Sequence, residues 1–89
     1  MFFVGKTLVI YKVTPKEMDR VKETIEQVKG LKSGQVVDVK EQPIGFGVTV
    51  LKVGVVVPEK VEGAIEKATA ELNSLEMVEE AEQQEMTLL

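Results

Sequence analysis

The sequence predicts an α+β fold in which a four-stranded antiparallel sheet carries two helices on one face, in the order β-α-β-β-α-β. Three observations predict it. Four stretches are rich in, or alternate with, strand-forming residues. Two stretches repeat apolar residues at helical spacing, and glycine- and proline-bearing breakers separate the six in that order. At 89 residues, with 44% hydrophobic and 29% charged content, the chain fits one independent core and reads as a single domain over residues 1–89.

Residues 6–13 alternate. Thr7, Val9, Tyr11 and Val13 share one face, and Lys6, Leu8, Ile10 and Lys12 the other. Thr14-Pro15-Lys16-Glu17 follows with the pattern of a capping box: threonine at the N-cap, proline at the first helical position, glutamate reaching back. Met18, Val21, Ile25 and Val28 then recur at helical spacing, and Gly30 is the expected stop, with Lys29 beside it to suit the negative end of the helix dipole. Ser33-Gly34 turns the chain into a second strand at 35–42, which Pro43-Ile44-Gly45-Phe46-Gly47 is expected to break. Residues 48–57 are the most β-branched stretch, with Leu51, Val53, Val55 and Val57 as the core face. Pro58 is expected to end that strand and open a second helix, whose stripe is Val61, Ala64, Ile65, Ala68, Leu72 and Leu75 and whose end is Asn73-Ser74. Residues 77–89 have the propensity of a helix. They are read as a fourth strand because the second β-α-β unit requires one, with Gln83-Gln84-Glu85 on a solvated edge. This order is that of the ferredoxin-like fold, two interleaved right-handed units. The hairpin between the second and third strands and the end of the fourth then lie at opposite ends of the sheet, ~25 Å apart for strands of about eight residues.

Composition narrows the chemistry. The chain has no cysteine and no histidine, so it offers no disulfide, no thiolate nucleophile and no imidazole base or ligand. No motif places a hydroxyl beside a base. The chain is therefore expected to be no enzyme, with no metal site and no cofactor. No apolar run approaches the roughly 20 residues of a membrane span. Met1-Phe2-Phe3-Val4 is too short for a signal core, so a cytoplasmic location is expected. The net charge of −4 divides unevenly, +3 over residues 1–40 and −7 over residues 41–89, which disfavours a nucleic-acid backbone. Glu79, Glu80 and Glu82 read as a solvated edge rather than a carboxylate cage. Leu8, Ile10, Val50 and Val56 on the open sheet face suit a second copy of the chain or a partner.

The most distinctive local feature is Pro43-Ile44-Gly45-Phe46-Gly47. Glycines on both sides of Phe46 permit positive φ and a tight turn. Two roles are open to the ring: a lid folded over the end of the core, or an exposed anchor of the kind enriched at interface hot spots.

That loop, followed by Leu51-Lys52-Val53, Val55-Val56-Val57 and a glutamate, resembles the guanine-nucleotide-exchange domain of the elongation factor 1-beta family. Lys12-Val13-Thr14-Pro15 is similar to the exit of that family's first strand, and length and element order are similar to its archaeal form, which consists of this domain alone. The resemblance covers essentially the whole chain and is strongest over residues 41–59. It implies a factor that promotes GDP-to-GTP exchange on the GTPase elongation factor 1-alpha by binding its nucleotide-free state. It implies that Pro43, Ile44, Gly45, Phe46 and Gly47 contact the GTPase, with Phe46 as anchor, the glycines shaping the turn and Pro43 fixing the lead-in. Eukaryotic relatives carry a penultimate lysine that reaches toward the magnesium site of the GTPase. Here Leu88 holds that position in a lysine-free tail, which leaves Thr87, Leu88 and Leu89 either an apolar wedge or a terminus without a role. The rival reading is an RNA-recognition domain, which shares the element order and has a first-strand aromatic like Tyr11. Against it stand Val48 and Val50 where stacking rings belong, and the acidic net charge.

Overall fold

The computed structural model describes residues 5–58 and 63–88. Its elements are β1 (Lys6–Pro15), a 3-10 turn (Met18–Arg20), α1 (Val21–Lys29), β2 (Gln35–Gly45), β3 (Val48–Pro58), α2 (Ala64–Ser74) and β4 (Val78–Leu88). The four strands form one antiparallel sheet in the order β2-β3-β1-β4, with the two helices on one face. The expected ferredoxin-like fold is the observed one.

The alternation in the sequence decides which face is covered. Thr7, Val9, Tyr11 and Val13 of β1 and Leu51, Val53, Val55 and Val57 of β3 are buried, and the central strands bring these rows together. Over them lie Val28 of α1 and Ala64, Ala68 and Leu72 of α2, with Val21, Ile25, Ile65 and Leu75 partly buried around them. Tyr11 is fully buried among the helices, its hydroxyl 2.8 Å from Thr69 Oγ1 and 3.3 Å from the Ile65 carbonyl. Burial pushes its phenol above the ordinary value, and the Thr69 partner offsets only part of that.

Three local expectations are corrected. The capping box does not form: β1 runs on through Thr14 and Pro15, which pair with Glu80 and Val78 of β4, and no side-chain cap is made at the following turn. Sheet pairing wins because it also satisfies the next amide, Lys16 N–H donating to the Met77 carbonyl at 2.8 Å. Pro43 does not break β2. The strand continues to Gly45, which an edge strand tolerates because proline lacks only a donor there. Pro58 ends β3, paired with Lys6, but α2 begins later, at Ala64 after Gly63 with φ 77°. Val61 lies outside the described residues. Gly30 does end α1, although at φ −84°, its N–H donating to the Gln27 carbonyl.

Polar contacts fix the ends of the helix layer. Asn73 brackets the backbone of Ala81 on β4, accepting from its N–H at 3.0 Å and donating to its carbonyl at 3.2 Å. Gln27 accepts from Met77 N–H at 2.9 Å, and the buried Thr24 hydroxyl donates toward the Arg20 and Met77 carbonyls. Glu71 of α2 ties down the turn before β2, accepting from the N–H groups of Lys32 and Ser33 and from the Ser33 hydroxyl at 2.5 Å.

Two outcomes follow from these contacts. A Cβ on Gly34 would stand 2.6 Å from Val55 Cγ1 and 3.0 Å from Val57 Cγ1, both core methyls. Gly34→Ala is therefore expected to lower unfolding free energy by about 1–3 kcal/mol in urea titration. Partial desolvation opposes ionisation of Glu71, but hydrogen bonds from Ser33 and Lys32 and the charge of Lys32 outweigh it and hold the carboxyl below its ordinary value. A depressed carboxyl contributes stability that is fully present above the unfolded value, about 4.3, and lost as pH falls through the lower folded value. Melting temperatures measured from about pH 6 down to about pH 3 should fall less steeply for Glu71→Gln than for the wild type.

Candidate functional site

Helices of nine and eleven residues are about 14 and 17 Å long, whereas strands of ten or eleven residues run about 33–36 Å. The helices therefore cover only part of each edge strand. β2 is exposed from Lys40 onward, and β4 is exposed from Glu82 onward. Because β2 and β4 run in opposite directions, these bare stretches project from opposite ends of the sheet.

The first projection is the β2–β3 hairpin. Pro43 pairs with Thr49 and Gly45 with Val48, so the register slips by one residue at Ile44 and the turn is the pair Phe46-Gly47. Both turn residues have positive φ, 57° and 75°, the requirement of the primed two-residue hairpin turn. Gly45 before them has φ 100°. A Cβ at Gly45 or Gly47 would meet nothing within 4 Å, so these glycines serve backbone conformation and not packing.

Phe46 is the unusual member. It is the one non-glycine residue with positive φ among the described residues, and its relative exposure is 106%. The ring touches no core, which removes the lid as its role. A bulky side chain in the left-handed region costs about 1–2 kcal/mol, and asparagine would fit better. Folding alone gives no reason for a phenylalanine here.

The second projection is the end of β4. Thr87 pairs with Leu8 and Leu88 with Thr7, and Leu88 is 67% exposed. Leu89 lies outside the described residues. The structure thus does not bring the two groups of predicted site residues together. From Val48, at the hairpin, to Val57, in register with Thr7 and through it with Leu88, is nine strand steps, about 30 Å. That exceeds the separation expected from eight-residue strands because both edge strands have eleven residues.

The open sheet face also carries features that patterning alone did not single out. Lys40, Lys52 and Lys12 stand directly opposite one another across β2, β3 and β1. Beside them Gly54 leaves a dip whose rim is Leu8, Ile10 and Val37, since a Cβ there would lie 3.5–3.6 Å from all three. Val50, expected in the apolar patch of this face, is buried. Register arithmetic exposes the lysine row only once strand pairing is known. Tyr11 points the other way, into the helix layer, so the open face presents no aromatic from β1 for base stacking. Among the described residues, no group of three or more acidic residues is arranged to hold a metal ion, and no helix is long and apolar enough to cross a membrane.

Comparison with known proteins agrees with this architecture. A model of the EF-1 guanine nucleotide exchange domain matches residues 8–89. Elongation factor 1-beta of Methanospirillum hungatei is 41% identical over 86 residues, covering 97% of this chain and 100% of the relative. The proteins of the same name from Methanoculleus marisnigri and Ignicoccus hospitalis are 36% and 38% identical, over 97% and 92% of this chain and 100% and 90% of theirs. Among solved structures, the C-terminal domain of the MgtC protein from Mycobacterium tuberculosis superposes with a TM-score of 0.51 at 16% identity, covering 97% of this chain and 88% of that one, a likeness of fold alone. A hairpin carrying Pro-Ile-Gly-Phe-Gly, the interleaved β-α-β units and these full-length matches agree: the chain belongs to the EF-1 guanine nucleotide exchange domain family, whose archaeal members are the elongation factors 1-beta of translation.

Proposed function

We propose that this protein accelerates GDP release from the translational GTPase elongation factor 1-alpha by binding the nucleotide-free GTPase more tightly than the GDP-bound form. Linkage supplies the driving force. A factor that prefers the empty state by a given ratio weakens GDP by the same ratio, and GTP then loads as the factor leaves. No covalent bond changes in that cycle, so the protein acts as a binding partner and not as an enzyme. It needs no cofactor of its own.

The observation that carries this reading is Phe46, held in a strained turn with its ring wholly in solvent. An exposed aromatic whose backbone conformation folding disfavours is explained when a partner receives it. Gly45 and Gly47 set the turn, Pro43 stiffens the approach on the edge strand, and Ile44 lies exposed two residues before Phe46. Thr87, Leu88 and Leu89 form the second contact. With no lysine in the tail, that end acts through backbone and apolar contact instead of replacing the charge of Mg²⁺. The GTPase engaged by both ends spans about 30 Å of this sheet. A protein with this task works in the compartment of translation, the cytoplasm.

The test times release of fluorescent GDP from elongation factor 1-alpha with substoichiometric protein. Acceleration with turnover supports the function; no acceleration refutes it. Phe46→Asn separates anchoring from folding, because asparagine suits the left-handed turn. It is expected to leave unfolding free energy unchanged or raise it by up to about 1 kcal/mol. Acceleration should drop about tenfold or more, the loss of an anchor contributing about 1.4 kcal/mol. Wild-type acceleration by Phe46→Asn would remove the ring from the mechanism, and a destabilisation of about 3 kcal/mol would mark it as core.

A further inference from the structure

Resting on that reading, we infer that the GTPase lies along the open sheet face and places an acidic stretch of its surface over the rung formed by Lys40, Lys52 and Lys12.

The route follows from the two contacts. A partner that touches both the β2–β3 tip and the end of β4 must cross either the helix layer or the bare face of the sheet. The helix layer stands above the sheet between the two ends, whereas the open face is a continuous surface joining them. Lys52 sits four residues from Val48 and five from Val57, so the rung crosses that surface at midspan, about 13–17 Å from either end.

Glu82 of β4 stands opposite Lys12 on its other side, so the cost of the rung falls on Lys52, which has a lysine on both sides. Lys40 is directly opposite Lys52, and Lys52 is directly opposite Lys12. Like charges in such cross-strand positions destabilise a sheet. Among the described residues its only ion pair is a long one, Lys40 Nζ to Asp38 Oδ2 at 3.8 Å, on the outer strand. Lys12 and Lys52 instead line a shallow hollow of about 230 Å³ with Ile10, Gln42, Gln84 and Glu85. Two ammonium groups and two amides outnumber the one carboxylate of that lining, Glu85 at its β4 side, and the dip ringed by Leu8, Ile10 and Val37 adjoins it on the side of the β4 end.

The experiment compares Lys52→Glu with Lys22→Glu, which makes the same change of charge on an exposed position of the helix layer. Exchange is followed as a function of factor concentration at low and at high salt. For Lys52→Glu the concentration giving half-maximal acceleration should rise about tenfold or more at low salt, and the gap should shrink as salt screens the surface. Lys22→Glu should stay within about twofold of wild type. The Lys52→Glu protein should melt no lower than wild type, because a like-charge contact is relieved. Equal behaviour of Lys52→Glu and wild type overturns the docking assignment while leaving the exchange function standing. Equal losses in both variants overturn it as well, by assigning the effect to net charge. A wild type that fails to accelerate release overturns both readings. Sedimentation of the free wild type as a dimer that Lys52→Glu converts to monomer would give the face to a second copy and also overturn the assignment.

Discussion

Strands twice as long as the helices that cover them set the form of this molecule. The covered half of the sheet makes the core: β1 lies between β3 and β4 with every second side chain under α1 and α2, and β3 repeats the pattern beside it. The uncovered half cannot be withdrawn, because strands pair along their whole length and extend beyond the helix layer. What projects is therefore rigid backbone and not loose loop. Both projections belong to the one continuous sheet, so the tip at Phe46 and the end at Leu88 are held at a fixed separation by hydrogen-bonded ladders. A small domain obtains in this way two projections about 30 Å apart, along a molecule 50 Å in its longest dimension.

Fixed separation matters for nucleotide exchange because exchange is a difference between two bound states. A flexible partner would adapt to the GDP form and the empty form alike and shift neither. A stiff one fits one arrangement of its target better. The strain at Phe46 belongs to the same logic. A φ of 57° on a phenylalanine fixes the backbone of the tip and leaves the ring wholly exposed, the presentation the proposed anchoring role requires.

Much of this was legible in the sequence, and the failures share one cause. The core rows of β1 and β3 were readable from alternation, and the stripe of α2 from its spacing, because apolar burial imposes those periods. Phe46 was recognisable from the glycines around it. The ends of elements were not. Thr14-Pro15-Lys16-Glu17 has every residue of a helix cap, yet β4, far along the chain, pairs Glu80 with Thr14 and Val78 with Pro15 and keeps them extended. Pro43 reads as a breaker until β2 is known to be an edge. β4 itself, glutamate-rich and helix-prone, is held by side chains no local pattern announces: Asn73 at Ala81, Gln27 and Thr24 at Met77. The lysine rung is the clearest case, since three residues twelve and twenty-eight positions apart become neighbours only through strand register.

The most direct test changes the length of the projection and nothing else. Two strand-forming residues inserted between Gln42 and Pro43, and two more between Thr49 and Val50, preserve the pairs on both sides and the facing of every side chain. The tip then moves outward by about 7 Å with its own sequence and the core intact. Acceleration of GDP release from elongation factor 1-alpha by this lengthened protein is expected to collapse while its melting temperature holds. Undiminished acceleration would show that the sheet is no rigid spacer between two contacts.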